Sequence, residues 1–161
     1  GENISAEEAE KLGKEFLEQR EFKNMGETYY LKMDGILTVN YAYKQNGITM
    51  YPDLIKVKIA LDNGEILGLE STGYLNSHRE TRELPEAKIT VEQAREKVNK
   101  RLSVSSSGMA VIPTEWNTEV LCYEFKGNTG ENDFIVYINA ETGEEQDILM
   151  IINTPDGTLT E

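Results

Sequence analysis

The sequence is poor in the groups that most often carry chemistry. It has one cysteine, Cys122, and one histidine, His78. A single thiol leaves no intramolecular disulfide and no cysteine-rich metal site. Cys122 lies in the apolar run Val120-Leu121-Cys122-Tyr123, where a buried, inert thiol is expected. His78 has only Arg79 beside it and no visible partner, so it is expected on the surface. No window approaches the roughly 18 apolar residues of a membrane-spanning helix. Positive charge is scarce, with 16 Lys and Arg against 29 Asp and Glu and a net charge of -13. That balance argues against nucleic acid, whose phosphates are held by basic side chains, and against an anionic membrane surface. It is compatible with a positively charged partner, and ordinary solubility explains it equally well. There is no Gly-x-Ser-x-Gly, no His-Glu-x-x-His and no P-loop. The abundant acids form pairs by chance, and none sits in apolar surroundings that would raise one pKa. No catalytic, metal-binding or cofactor-binding residue is assigned, and no cofactor is expected. The chain opens on Gly1-Glu2-Asn3 without Met or a leader, which reads as a segment of a longer protein.

What the sequence does have is one unit used twice. Leu54 to Glu65 and Phe134 to Glu144 each alternate apolar and polar residues and stop at a Gly-Glu turn. Val57 matches Val136, Ile59 matches Ile138 and Gly64 matches Gly143, all 79 residues apart. Such alternation predicts a half-buried strand. Asp62-Asn63-Gly64 and Glu141-Thr142-Gly143 supply tight-turn chemistry. Asp62 to Glu65 lacks the ligand spacing of a calcium loop and reads as a hairpin turn.

Two helices are predicted by their caps. Ser5-Ala6-Glu7-Glu8 and Thr90-Val91-Glu92-Gln93 both have capping-box form. Behind the first, Ala9, Leu12, Gly13, Phe16 and Leu17 fall on one face. Behind the second, Val91, Ala94, Val98 and Leu102 make a stripe. Strands are expected at Thr28–Met33, Ile36–Lys44, Leu54–Leu61, Ile66–Tyr74, Thr118–Lys126, Phe134–Ile138 and Ile148–Ile152, the last followed by a Pro155-Asp156-Gly157 turn. Asn76–Lys88 reads as a linker and Ser103–Gly108 as a loop. Tyr41-Ala42-Tyr43 matches Tyr123-Glu124-Phe125, 82 residues on. With 161 residues and a mean hydropathy of -0.50, two small modules fit. The expectation is an α+β fold of two tandem modules, residues 1–82 and 83–161, each a helix packed on a small antiparallel sheet.

These matched residues resemble the PepSY domain family, a module found in peptidase propeptides and in a spore protein family. The first copy supplies Ser5 to Ala9, Tyr41 to Tyr43 and Val57 to Glu65. The second supplies Thr90 to Ala94, Tyr123 to Phe125 and Val136 to Glu144. The tandem arrangement and the tail Ile151 to Thr160 are similar to the C-terminal region of a germination protein family of spore-forming Firmicutes. The resemblance implies an extracytoplasmic part of a membrane-anchored spore protein, at the inner membrane and cortex. It implies a non-enzymatic regulatory module whose partner is a spore cortex-lytic hydrolase. A propeptide-like protease inhibitor and a cell-wall carbohydrate binder are the alternatives. No catalytic residues come with the family.

For a binding face the candidates are Trp116, Tyr41, Tyr43 and Tyr123. Tyrosine is enriched both in strands and at interfaces, so most of the tyrosines are expected to pack and a few exposed ones to form a binding face. Trp116 suits sugar stacking, but a large aromatic in a small domain is expected to pack over the sheet or between the modules.

Overall fold

A computed structural model describes the backbone of residues 1–154 and 157–160, and side chains through residue 151. It is an α+β structure of two compact units: residues 1–79 with 154 and 157–159, and residues 80–153 with 160.

The first unit opens on α1 (Ala6–Gln19). Its capping box is fully formed. Glu8 N–H donates to Ser5 Oγ at 3.1 Å, and Ser5 N–H donates to the Glu8 carboxylate at 3.2 Å. Two of the helix's otherwise unpaired amides are thereby satisfied. Strands β1 (Met25–Met33), β2 (Ile36–Gln45), β3 (Ile48–Ala60) and β4 (Ile66–Glu70) form an antiparallel meander. Helix α1 lies across β1, β2 and β3. Ala9, Leu17, Leu37, Val39, Tyr41, Met50, Ile55, Val57 and Ile59 are all fully buried there. The alternation of Ile36–Lys44 thus puts its predicted apolar face in the core.

Past β4 the structure departs from expectation. The strand predicted to reach Tyr74 stops at Glu70, and a short helix, α2 (Thr72–Ser77), follows. The Glu70 carboxylate accepts from Thr72 N–H at 2.8 Å and turns the chain out of the sheet. Hydrogen bonding from the Thr72 side chain first, and then from its amide, holds the Glu70 carboxyl below its ordinary pKa, with Lys56 adding to the effect.

In the second unit α3 spans only Val91–Arg95. Its capping box forms as expected, with Thr90 and Gln93 exchanging bonds at 2.9 and 3.1 Å. The helix does not carry the stripe on to Leu102. Lys97 and Val98 N–H bond three residues back, and Asn99 Oδ1 accepts from Arg101 N–H at 2.9 Å, ending the helix in a turn. The predicted loop at Ser103–Gly108 is instead the start of β5 (Ser103–Pro113). Ser103, Ser106 and Ser107 pair with β6 (Glu119–Asn128) around a bulge at Ser105, and this end of the strand is exposed, so no apolar pattern marked it. Strands β7 (Asp133–Asn139) and β8 (Glu145–Thr154) complete this antiparallel set. The last strand, β9 (Gly157–Thr160), pairs Gly157 with Met33 of β1. Pro155 and Asp156 of the expected tail turn lie outside the described residues.

The repeat is visible atom by atom in the turns. Gly64 and Gly143 have φ of 78° and 80°, a conformation that favours glycine. Gly64 N–H donates to Ala60 O at 2.8 Å, and Gly143 N–H to Asn139 O at 2.9 Å. Ala60 and Asn139 each donate in turn to the backbone of the Glu that follows the glycine.

Candidate functional site

The four candidate residues divide by burial. Tyr41 is fully buried, and Tyr43 and Tyr123 are nearly so. None of the three offers a ring to a ligand, which corrects the expectation of a tyrosine binding face. The reason is local. Tyr41 Oη donates to Glu10 O at 2.6 Å, and Tyr123 Oη donates to Ile89 O at 2.7 Å. In each unit the matched tyrosine reaches from the second-copy or first-copy strand to the backbone at its own opening helix. A buried phenol needs such a partner. Burial, with Glu10 and Glu27 nearby, drives the Tyr41 phenol well above its ordinary pKa.

Trp116 does the opposite. It is 82% exposed, so the expectation that it packs on the sheet is overturned. It sits on the loop between β5 and β6, and Thr114 organises that loop. Thr114 Oγ1 accepts from Trp116 N–H at 3.2 Å and Thr118 N–H at 3.3 Å, and lies 2.7 Å from Thr118 Oγ1. Thr114 N–H donates to Thr118 O at 2.8 Å. Asn117 takes a positive φ of 59° to close the turn. Backbone bonding fixes the loop and leaves the indole outside it. Beside it runs an open groove of about 470 Å³, lined in part by Pro113, Glu115, Val120, Gln146 and Asp147.

His78 is not the expected surface residue. Its Nδ1 lies 2.8 Å from Oδ2 of Asp53, a fully buried carboxylate on β3. Its ring stacks on Tyr74 at 4.2 Å and meets Tyr43 edge-on at 4.6 Å. Phe22 abuts the other side of this cluster, edge to face on Tyr74. The histidine therefore pins the end of α2 to β3. The stretch read as a linker is also anchored at Arg82, which is buried and holds Glu119 through Nε at 2.9 Å and Nη2 at 3.3 Å. Both partners lie far away in sequence, 25 residues for His78 and 37 for Arg82. Local pattern gave no sign of them.

Cys122 is buried as expected. Burial, with the Asp147 carboxylate adding to it, pushes its thiol up to about 12. It is a thiol and not a thiolate at neutral pH, so it lacks the form that attacks carbon or binds metal. Glu10 is also held above its ordinary value, by burial first and then by Glu27 and Glu7. Its backbone carbonyl is the acceptor of the Tyr41 tether. Among the described residues no cluster of His, Cys, Asp and Glu has metal-binding geometry, and no helix is long and apolar enough to cross a membrane.

Residues 1–85 match the family model described as YpeB sporulation, PepSY1 and PepSY2 domains. Residues 88–149 match the peptidase propeptide and YPEB domain. The chain is 40% identical over 147 residues to sporulation protein YpeB of Halalkalibacterium halodurans, covering 91% of this chain and 33% of that protein. It is 38% identical over 120 residues to the YpeB protein of Bacillus subtilis, covering 74% of this chain and 26% of that one. Thus it spans about a third or less of the curated relatives' length. The solved C-terminal domain of Bacillus megaterium YpeB superimposes with a TM-score of 0.85 at 32% identity, over 92% of this chain and 66% of that one. With its caps, turns and buried tyrosines repeated in both units, the chain belongs to the YpeB family of sporulation proteins and carries its PepSY domains.

Proposed function

We propose that this chain is a non-enzymatic binding module that stabilises or restrains a spore cortex-lytic peptidoglycan hydrolase until germination. The supporting observation is that the residues recurring in both units are spent on the fold. Ser5 and Thr90 cap helices, Tyr41 and Tyr123 tether them, and Gly64 and Gly143 close turns. The side chains left at the surface are suited to contact and not to bond making. Strand β4 ends the strand order and exposes Leu67 and Leu69. Its open backbone edge suits addition of an extended segment of a partner. The net charge of -13 favours a basic partner by steering and salt-sensitive contact. The location that goes with this role is outside the membrane, in the inner-membrane and cortex region of the spore.

The test is cortex hydrolysis by the purified lytic enzyme with increasing amounts of this chain. The rate falls as the chain saturates the enzyme, or the enzyme's working lifetime lengthens. Hydrolysis by the chain alone, or a saturating chain that changes neither rate nor lifetime, removes the reading. A second reading, direct inhibition of a protease, is favoured by the propeptide domain matched at residues 88–149. It predicts inhibition of a metalloprotease with no lytic enzyme present.

A further inference from the structure

We infer that the Trp116 hairpin and its groove form a docking site for an arginine- or lysine-bearing loop of a protein partner. Three observations carry this. First, Trp116 is the chain's only tryptophan, and it stands 82% exposed. A side chain of this size left in water forgoes burial that would contribute substantially to a small domain. Second, the hairpin is ordered without the indole's help. The bonds converging on Thr114 satisfy the Trp116 and Thr118 amides and fix the backbone. The ring is thus presented on a preformed support, which lowers the entropy lost on binding. Third, the groove of about 470 Å³ alongside it has charged lining of one sign only. Those charged side chains are Glu115 and Asp147, both exposed carboxylates, and no Lys or Arg lines it.

That combination selects for a cation. An indole face attracts guanidinium or ammonium through its quadrupole, and guanidinium also stacks flat on the ring. Carboxylates flanking the ring supply acceptors for the N–H groups at the rim of the same cation. Pro113 and Val120 give apolar wall to the methylene stem behind it. Asp147 uses Oδ1 to accept from Ile148 N–H at 2.8 Å, which holds the carboxylate in place. A neutral sugar would stack on the ring and donate hydroxyls to the carboxylates but leaves both charges uncompensated, whereas a cation compensates them, and an anionic sugar would be repelled. This deepens the regulatory reading by naming where a basic partner engages, and it rests on that reading for the partner's role alone.

Because Trp116 is the only tryptophan, its emission reports this site and no other. Hexa-arginine titrated into the chain moves the Trp116 emission to shorter wavelength or quenches it, while uncharged hexa-citrulline does not. In the Glu115→Gln/Asp147→Asn double variant, whose Asn keeps the acceptor for Ile148, the midpoint rises about tenfold. An emission that ignores hexa-arginine overturns the site, as does a double variant that titrates like the parent. A response to chito-tetraose but not to hexa-arginine also overturns it, in favour of sugar stacking. The probe is a peptide and not the hydrolase, so its failure leaves the regulatory reading to be judged by the hydrolysis test.

Discussion

Tyr41→Ala lowers the unfolding free energy of the first unit by about 3–5 kcal/mol, the range for emptying a large aromatic site in a packed core. Tyr41 is the largest of the fully buried side chains. It sits between the sheet and α1 and is tied to Glu10 O. Its removal therefore opens a cavity and cuts the tether at once. Tyr41→Phe separates the two contributions. It keeps the ring and loses one hydrogen bond, at about 1 kcal/mol. Urea unfolding followed by far-ultraviolet circular dichroism measures both. A Tyr41→Ala cost below about 1 kcal/mol would mean that the strand tyrosine is not a core element, and the structural role given to the repeated motif would fall with it. The matched Tyr123, slightly exposed and bonded to Ile89 O, follows the same order with a smaller loss.

Gly13→Ala is expected to reverse the usual sign of a glycine-to-alanine change in a helix. Such a change ordinarily stabilises a helix interior by about 0.5–1 kcal/mol. Here a Cβ at Gly13 would overlap the Tyr41 hydroxyl oxygen and lie 3.1 Å from both Ile59 Cδ1 and Tyr41 Cζ. The hydroxyl cannot swing away without giving up its bond to Glu10 O. Helix and sheet must separate, or the tyrosine must move, and overpacking of this kind costs about 1–3 kcal/mol. The tightest contact is with one oxygen, so Tyr41→Phe relieves part of the clash. The double variant Gly13→Ala/Tyr41→Phe is then more stable than the sum of the two singles predicts, by about 1 kcal/mol. Strict additivity would show that the glycine is not there to admit the tyrosine. Neither helical periodicity nor strand alternation reveals this pair, which is 28 residues apart in sequence.

The same contrast runs through the whole chain. Features set by neighbours in sequence were legible. Ser5 and Glu8, or Thr90 and Gln93, lie three residues apart, and both boxes formed. Gly64 and Gly143 were marked by the turn chemistry around them. The antiparallel α+β arrangement followed from alternation in the matched strands. Features set by distant partners were not legible. His78 looked solitary because Asp53 belongs to β3, and Arg82 looked like linker because Glu119 belongs to β6. The serine-rich start of β5 carries no apolar face, because this end of the strand is exposed and buries little against the core. Tyr41 and Tyr123 were correctly matched to one another, but of packing and binding, the two tasks open to a tyrosine, the sequence did not show that theirs is packing. Aromatic content alone does not separate a ring that contacts a partner from one that tethers a helix. Trp116 misled in the other direction. Size argued for burial, while the Thr114-centred loop that holds it out depends on hydrogen bonds no hydropathy pattern records.

The central claim is that this chain works by binding a basic hydrolase. Calorimetric titration of the chain with the purified cortex-lytic enzyme, at low and at moderate salt, tests it most directly. The account predicts micromolar or tighter affinity that weakens as salt rises, because part of the attraction is between net charges. No heat of binding at either salt, with circular dichroism showing a folded chain, would contradict it.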